Sequence, residues 1–284
     1  MSSSPKTSNR SPPESTSDWS PDQYLLFRQA RDRPIRDLIA FLGPDYAPKH
    51  ITDLGCGPGT STALLAARFP SAHLTGVDSS PAMLARARTA LPSSVASFAQ
   101  ADVRTYLPDP HTTDLLFSNA VFHWLRTPER LPTITRLLRT LPKGGVLALQ
   151  VPDNYDEPSH RAMREAAAAP GPWRAYFAAL PPDKRPELDP VEPVVAYYDA
   201  LRPHCSEVEI WTTQYVHVLE DHGGIVEWVK GTGLQPFVNA LPEEDGVREG
   251  LLRAYRERLE EGYPRAGDGK VLLRYPRRFM VAVR

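Results

Sequence analysis

The sequence predicts an α/β protein, a mostly parallel doubly wound sheet carrying a helical cap, and three observations lead there. Between residues 51 and 152, short apolar runs alternate with helical patterns, as successive βαβ units require. One of them, "ITDLGCGPGTSTALL" at 51–65, reads as a strand, a glycine turn and a helix start. The alternation then breaks twice, near 153–190 and 222–264, where proline-rich and helical stretches intervene.

Taken in order, residues 1–17, "MSSSPKTSNRSPPESTS", are rich in serine and proline. They lack the apolar stretch of a signal peptide and are expected to be a disordered tail. Residues 18–284 then form a single domain, a length that buries one good core rather than two. A helix from Pro21 carries Tyr24, Phe27, Ile35 and Leu38. β-branched Ile51 and Thr52 suit the first strand, and Gly55 permits a tight turn with positive φ. Thr60 or Ser61 is expected to cap the helix "TALLAARF". "AHLTGVD", "SFAQAD", "TDLLFSNA" and "GGVLALQVP" are the next strands, with the helix "LPTITRLLRTL" ending before Pro142. The two breaks hold "AAAAPGPW" and "LPPDKRPELDP", then "GIVEWVKG" and "VREGLLRAYRERLEEG". Ligands of such sheets bind outside the carboxyl ends of the strands, so the cap is placed there.

Composition narrows the function. With 33 basic and 34 acidic residues the chain is near neutral, which argues against nucleic acid as a partner. No apolar run is long enough to span a membrane. Two cysteines, Cys56 and Cys205, fit a reducing, cytoplasmic setting rather than a disulfide framework. Cys56 has no basic neighbour in the loop to lower its pKa and is read as structural.

The glycine loop asks for a particular ligand. Exposed amides at a helix start favour an anionic group, but the spacing is G-x-G-x-G rather than the G-x-G-x-x-G that cradles a pyrophosphate. Asp53 just ahead of it disfavours phosphate and favours a positive charge. Asp78 lies nineteen residues beyond Gly59, near the usual spacing of a ribose-binding acid. Asp102 closes a third strand at the same edge. S-adenosylmethionine fits: it carries an ammonium, a sulfonium and a ribose, and no phosphate.

"DLGCGPG", "GVDSSPAML", "AQADVR", "FSNAVFHWL" and "GGVLALQVPDN" resemble the class I methyltransferases. The flanking "DWSPDQYLLFRQARDRPIRDLI", "AYYDAL", "VEIWTTQY", "IVEWVKGTGLQPF" and "VLLRYPRRFMVAVR" are similar to the trans-aconitate 2-methyltransferase family in particular. The resemblance implies a Rossmann-like sheet whose last strand is antiparallel. It also implies a carboxyl O-methyltransferase that forms the monomethyl ester of trans-aconitate or a related small polycarboxylic acid, leaving S-adenosylhomocysteine.

Residue roles follow from the same resemblance. Gly55, Gly57 and Gly59 let the backbone approach the methionine part of the cofactor, and Asp53 meets its ammonium directly or through water. Asp78 holds the ribose, with Ser79 and Met83 near the adenine. Asp102 accepts from the adenine amino group between the backbones of Ala101 and Val103, and Asn119 offers main-chain oxygen near the ammonium. Tyr24 and Arg33 are assigned to the cofactor side. By residue type rather than by the resemblance, Trp19, His123, Trp124, Tyr155, Tyr197, Tyr198 and Trp228 are assigned to the substrate wall, where large amphipathic rings serve. A polycarboxylate needs guanidinium forks, and of Arg28, Arg31, Arg33, Arg274, Arg277 and Arg278, Arg33 and Arg277 match the family best.

No metal and no general base are expected. A carboxylate is already ionised at neutral pH, so catalysis reduces to alignment and exclusion of water. Methylation of a hydroxyl or amine is the alternative and would need a base such as His123. A binding protein without turnover is disfavoured by the intact loop and acids. The stretch 166–190 departs from the family pattern, which leaves related dicarboxylates and tricarboxylates, including an itaconate-like acid, open as substrates.

Overall fold

The computed structural model describes residues 27–109, 112–243 and 246–284. The tail read over 1–17, together with Trp19 and Tyr24, lies outside the described residues. Five strands come first: β1 (His50–Leu54), β2 (His73–Asp78), β3 (Ala96–Gln100), β4 (Leu115–Asn119) and β5 (Val146–Pro152). They are mutually parallel. The longer β6 (Glu207–Leu219) and β7 (Val271–Val283) complete a seven-stranded sheet in the order β3-β2-β1-β4-β5-β7-β6. β7 runs antiparallel to both β5 and β6, so the expected antiparallel last strand is present.

The burial of these strands explains their composition. Every residue of β5 is buried and all of β4 except Asn119, which is why both read as continuous apolar runs rather than alternating ones. Helix α1 (Arg28–Phe41) buries Ile35, Leu38 and Ile39 in one core cluster with Leu65 and Phe69, and α2 (Thr60–Arg68) contributes the first of these two. Helix α3 (Pro81–Ala90) begins at Ser80, whose hydroxyl accepts from the Met83 amide. On the opposite face α4 (Thr127–Thr140) packs Ile134, Leu137 and Leu138 on the sheet.

Helices fill the two breaks in the strand pattern. Between β5 and β6 lie α5 (Pro158–Ala168), α6 (Arg174–Ala179) and α7 (Val194–Leu201). Between β6 and β7 lie α8 (His222–Lys230), α9 (Gln235–Asn239) and α10 (Val247–Gly262). Helices α5, α8, α9 and α10 share one apolar cluster with β7, into which Trp173 anchors its ring by donating from Nε1 to the Ala166 carbonyl at 2.9 Å. The strand order reverses between β1 and β4, and a crevice opens there beyond the strand ends.

One local expectation is corrected. Helix α2 has no hydroxyl cap: Gly59, in the left-handed region at φ 90°, occupies the N-cap position. The Ser61 and Thr62 hydroxyls turn instead to Asp53 Oδ2, at 2.7 and 2.6 Å.

Candidate functional site

The crevice holds a cavity of about 860 Å³. Its floor is the glycine loop, and the three glycines do different work there. A Cβ on Gly55 would come within 2.3 Å of Val121 Cγ2, so this glycine admits the loop that follows β4. Gly57, at φ 54°, has open space where a Cβ would stand and lines the cavity. Gly59 sets the start of α2. The thiol of Cys56 is buried beneath the loop, and its pKa is pushed far up by that burial with Asp53 and Asp78 nearby, so it stays protonated and unreactive.

The three acids end up in three distinct environments. Asp53 is 1% exposed and lies behind the loop, outside the cavity wall. Its Oδ1 is buried with no hydrogen-bond partner, and burial pushes its pKa up to about 6 against the hydroxyl bonds from Thr62 and Ser61. Asp78, at the end of β2, lines the cavity and accepts from the Gly57 and Ser80 amides at 2.9 and 2.8 Å. Asp102 lies two residues past β3, where Arg104 Nε and Nη2 grip both its oxygens. That hydrogen bonding holds the Asp102 carboxyl below the ordinary range.

Asn119 and Ala120 finish β4 at the switch point. Asn119 Oδ1 is buried and without a partner, and Ala120 adopts φ 57°, a left-handed conformation that costs a non-glycine residue about 1–2 kcal/mol. Its amide donates to the Gln150 carbonyl at 2.9 Å, which holds the turn in place.

The other end of the cavity is cationic and aromatic. Arg31 on α1 and Arg277 on β7 both line it, at 4% and 7% exposure. Arg31 lies over the Trp228 ring and Arg277 over the Tyr275 ring, at 5.3 and 5.0 Å, and those two rings meet edge to face at 5.7 Å. Arg277 Nη1 donates to Gln150 Oε1 at 3.0 Å, which aims the guanidinium from behind. His123 and Trp124 line the same cavity from the turn after β4. Burial, then Arg277, Arg130 and His160, push the His123 pKa well down, so the ring is neutral and a weak proton acceptor.

A clamp holds the roof. Residues 180–188 pass over the cavity and contribute Leu180, Lys184 and Leu188 to its lining. Arg126 donates to the Glu187 and Arg185 carbonyls at 2.5 and 2.8 Å, and the Thr127 amide donates to Asp189 Oδ2 at 2.8 Å. Beneath it, the fully buried Arg130 donates to the Phe122 and Leu125 carbonyls on either side of His123 and Trp124 and pairs with Glu192 at 2.8 Å.

The chain aligns with a trans-aconitate 2-methyltransferase of Rhodopseudomonas palustris strain HaA2 at 49% identity over 268 residues, covering 94% of this chain and 99% of that protein. It belongs to the trans-aconitate 2-methyltransferase family. A second relative of that name, from Azoarcus sp. strain BH72, is 47% identical over 266 residues, covering 94% of this chain and 99% of its own. A methyltransferase-domain family profile matches residues 51–145. Among solved structures, the YcgJ protein of Bacillus subtilis superposes with a TM-score of 0.54 at 10% identity, covering 90% of this chain and 98% of that one. Haemonchus contortus phosphoethanolamine N-methyltransferase 2, in complex with S-adenosyl-L-methionine, gives 0.52 at 15% identity, covering 89% of this chain and 52% of that one. These two show the shared fold.

In this member of the trans-aconitate 2-methyltransferase family, the structure gathers most of the residues singled out from the sequence. Gly57, Asp78, Ser79, Met83, Asp102 and Asn119 line one cavity, as do Ala101 and Val103. Tyr155 lines a small recess of about 30 Å³ that shares His123 and Asn154 with the cavity, and Arg164 covers its ring at 3.7 Å. Asp53 and Gly59 belong to the loop segment without lining the cavity, and three further residues stand elsewhere. Arg33 is on the exposed side of α1, over Tyr215 at 5.5 Å, because Arg31 takes the cavity-facing position two residues earlier. Tyr197 is fully buried in the core and donates to Glu192 Oε2 at 2.9 Å. Tyr198, its helical neighbour, is 45% exposed and turned to solvent.

Other site residues escaped the sequence reading. Arg104 closes the "AQADVR" stretch without having been given a role, and Arg126 and His160 sit in a loop and on a cap helix with no motif around them. Arg31 is among the six arginines named from the sequence, and its helical offset from Ile35 and Leu38 is the signal that favours it over Arg33.

Proposed function

We propose that this protein transfers a methyl group from S-adenosylmethionine to a carboxylate of trans-aconitate or a close polycarboxylate relative. The carrying observation is the pair of buried guanidiniums, Arg31 and Arg277, at the far end of the cavity that the glycine loop floors. A guanidinium fork matches a carboxylate in charge and shape.

The residues present suit the cofactor. Asn119 Oδ1 is a buried oxygen without a partner on the cavity wall, where an ammonium or its water would satisfy it, and the Asp53 carboxylate behind the loop adds a favourable charge from outside the wall. Each Asp78 oxygen already accepts one amide and retains acceptor capacity for a ribose hydroxyl. Met83 and Val103 supply apolar surface for a base. When bound, S-adenosylmethionine supplies a methyl group already activated on a sulfonium.

The chain's own contribution is placement. Arg31 and Arg277 fix the acid, the Arg130-braced turn at 122–125 positions its wall, and residues 180–188 cover it against water. Such alignment lowers a barrier by on the order of 7–11 kcal/mol. His123, held neutral and weakly basic, suits a nucleophile that arrives ionised and is poorly suited to take a proton from a hydroxyl or amine. The test is labelled methyl transfer to a panel of small polycarboxylic acids. The expected product is an ester cleaved by mild alkali, and an alkali-stable product overturns the reading.

A further inference from the structure

We propose that His160 is a specificity-determining residue of this site, its Nε2–H donating to one particular carboxylate of the bound polycarboxylic acid. The inference rests on the carboxylate reading above and adds a third donor to Arg31 and Arg277.

His160 sits in the first turn of α5 and borders both the main cavity and the small recess behind it. Its Nδ1 lies 3.1 Å from the Ser159 hydroxyl. Ser159 is fully buried, and Nδ1 is the acceptor within reach of its hydroxyl proton. With Ser159 donating to Nδ1, the ring proton belongs on Nε2. The ring edge carrying Nε2 faces Gly233, where a Cβ would stand 2.9 Å from Nε2, so only glycine leaves that edge open. Gly233 lines the same two spaces. Among the described residues no group accepts from Nε2.

Tyr275 connects this donor to the cations. Its ring lies 6.0 Å from the His160 ring, edge to face, and carries Arg277 at 5.0 Å. His160, Tyr275 and Arg277 therefore border one end of the cavity, and Arg31 enters through Trp228. Burial, with Arg164 beside it, pushes the His160 pKa down to about 3, so it acts there as a neutral, directional donor and not as a third charge. A small acid with three carboxylates can contact two guanidiniums and one oriented N–H at once, and a dicarboxylate makes one such contact fewer.

The experiment removes the donor and one carboxylate in turn. Binding is measured by calorimetry in the presence of S-adenosylhomocysteine, for wild type, His160→Asn and His160→Gln. The ligands are trans-aconitate and three analogues, itaconate, mesaconate and glutaconate, each of which lacks a different carboxyl. His160→Asn is expected to weaken trans-aconitate binding about 10–100-fold, with His160→Gln, whose amide nitrogen reaches the Nε2 position, recovering most of it. The loss should vanish for one analogue and persist for the other two. An equal loss for all three means a merely structural role and overturns the proposal, as does no loss for trans-aconitate. Should the variants not fold, wild-type protein labelled at histidine decides: one Nε2–H signal must move on adding trans-aconitate and stay for one analogue. Failure of the wild type to bind trans-aconitate at all would instead reject the carboxylate reading.

Discussion

The Gly57 amide donates to Asp78 Oδ2 across 2.9 Å, tying the tip of the glycine loop to the acid at the end of the neighbouring strand. Asp78 therefore shapes the loop as well as offering oxygens to a ribose. Asp78→Ala is expected to raise the dissociation constant for S-adenosylhomocysteine by 100-fold or more, since two hydrogen bonds to a charged acceptor are lost at roughly 1.5–3 kcal/mol each. Asp78→Asn, which keeps one acceptor oxygen, should lie between. Calorimetry that gives wild-type affinity for the alanine variant would place the ribose elsewhere.

A second prediction concerns pH. Burial holds the Asp53 pKa up at about 6 in the folded protein, above the ordinary value of about 4 in an unfolded chain. The native state therefore binds more protons than the unfolded state between those values, and this group's contribution to stability falls as pH rises from about 4 to about 6. The loss is on the order of 3 kcal/mol and persists above pH 6. Asp53→Asn should thus gain stability over wild type at pH 7.5 and gain little at pH 4.5, measured by urea unfolding. Cofactor affinity should move oppositely in the wild type, falling as pH drops below about 6 and the anion behind the loop, whose charge favours the ammonium, is lost. Parallel unfolding curves for the two proteins at both pH values would remove Asp53 from this role.

The loop glycines separate two kinds of damage. At Gly57 a side chain meets open cavity, so Gly57→Val should fold, bearing about 1–2 kcal/mol of left-handed strain, while abolishing cofactor binding. At Gly55 even an alanine Cβ meets Val121 Cγ2 at 2.3 Å, so Gly55→Ala should displace the turn after β4 and lower the melting temperature more. Circular dichroism and calorimetry on both variants check the contrast. Normal cofactor binding by Gly57→Val would mean that the ligand does not approach this backbone.

How far the sequence carried differs between the two halves of the site. The loop end was legible because strand, turn and helix are local. Gly55, Gly57, Asp78 and Met83 lie within one βαβα run, and the ends of parallel strands share an edge by topology. The acid end was not, since Arg31, His160, Trp228 and Arg277 come from α1, α5, α8 and β7 and meet only through tertiary packing. Tyr197 shows the cost of reading composition alone. An aromatic beside a cap segment looks like a pocket wall, but the buried Arg130–Glu192 pair needed a hydroxyl partner and took it into the core. The same limit placed Arg33 rather than Arg31 at the site: family position favoured one, and helix phase the other.

The last prediction joins charge to chemistry. Arg277 lines the acid end of the cavity, nearly buried and aimed by Gln150, so Arg277→Gln removes a desolvated fork while leaving the glycine loop untouched. It should raise KM for the polycarboxylate strongly and leave the affinity for S-adenosylhomocysteine within a few fold. His123→Asn tests the opposite property at the same place. Its ring is neutral and weakly basic, held so by burial and by Arg277 and Arg130. Because a carboxylate attacks already ionised, the variant should keep most of kcat, whereas loss of a general base costs about 10²–10⁴-fold. The pH profile offers an independent check, since kcat of the wild type should show no inflection near the usual histidine pKa. A fall of that size in His123→Asn, with acid and cofactor still bound, would mean that a proton leaves the nucleophile during transfer. The substrate oxygen would then be a hydroxyl, or the nucleophile an amine, and the arginine pair would be holding some other part of the molecule.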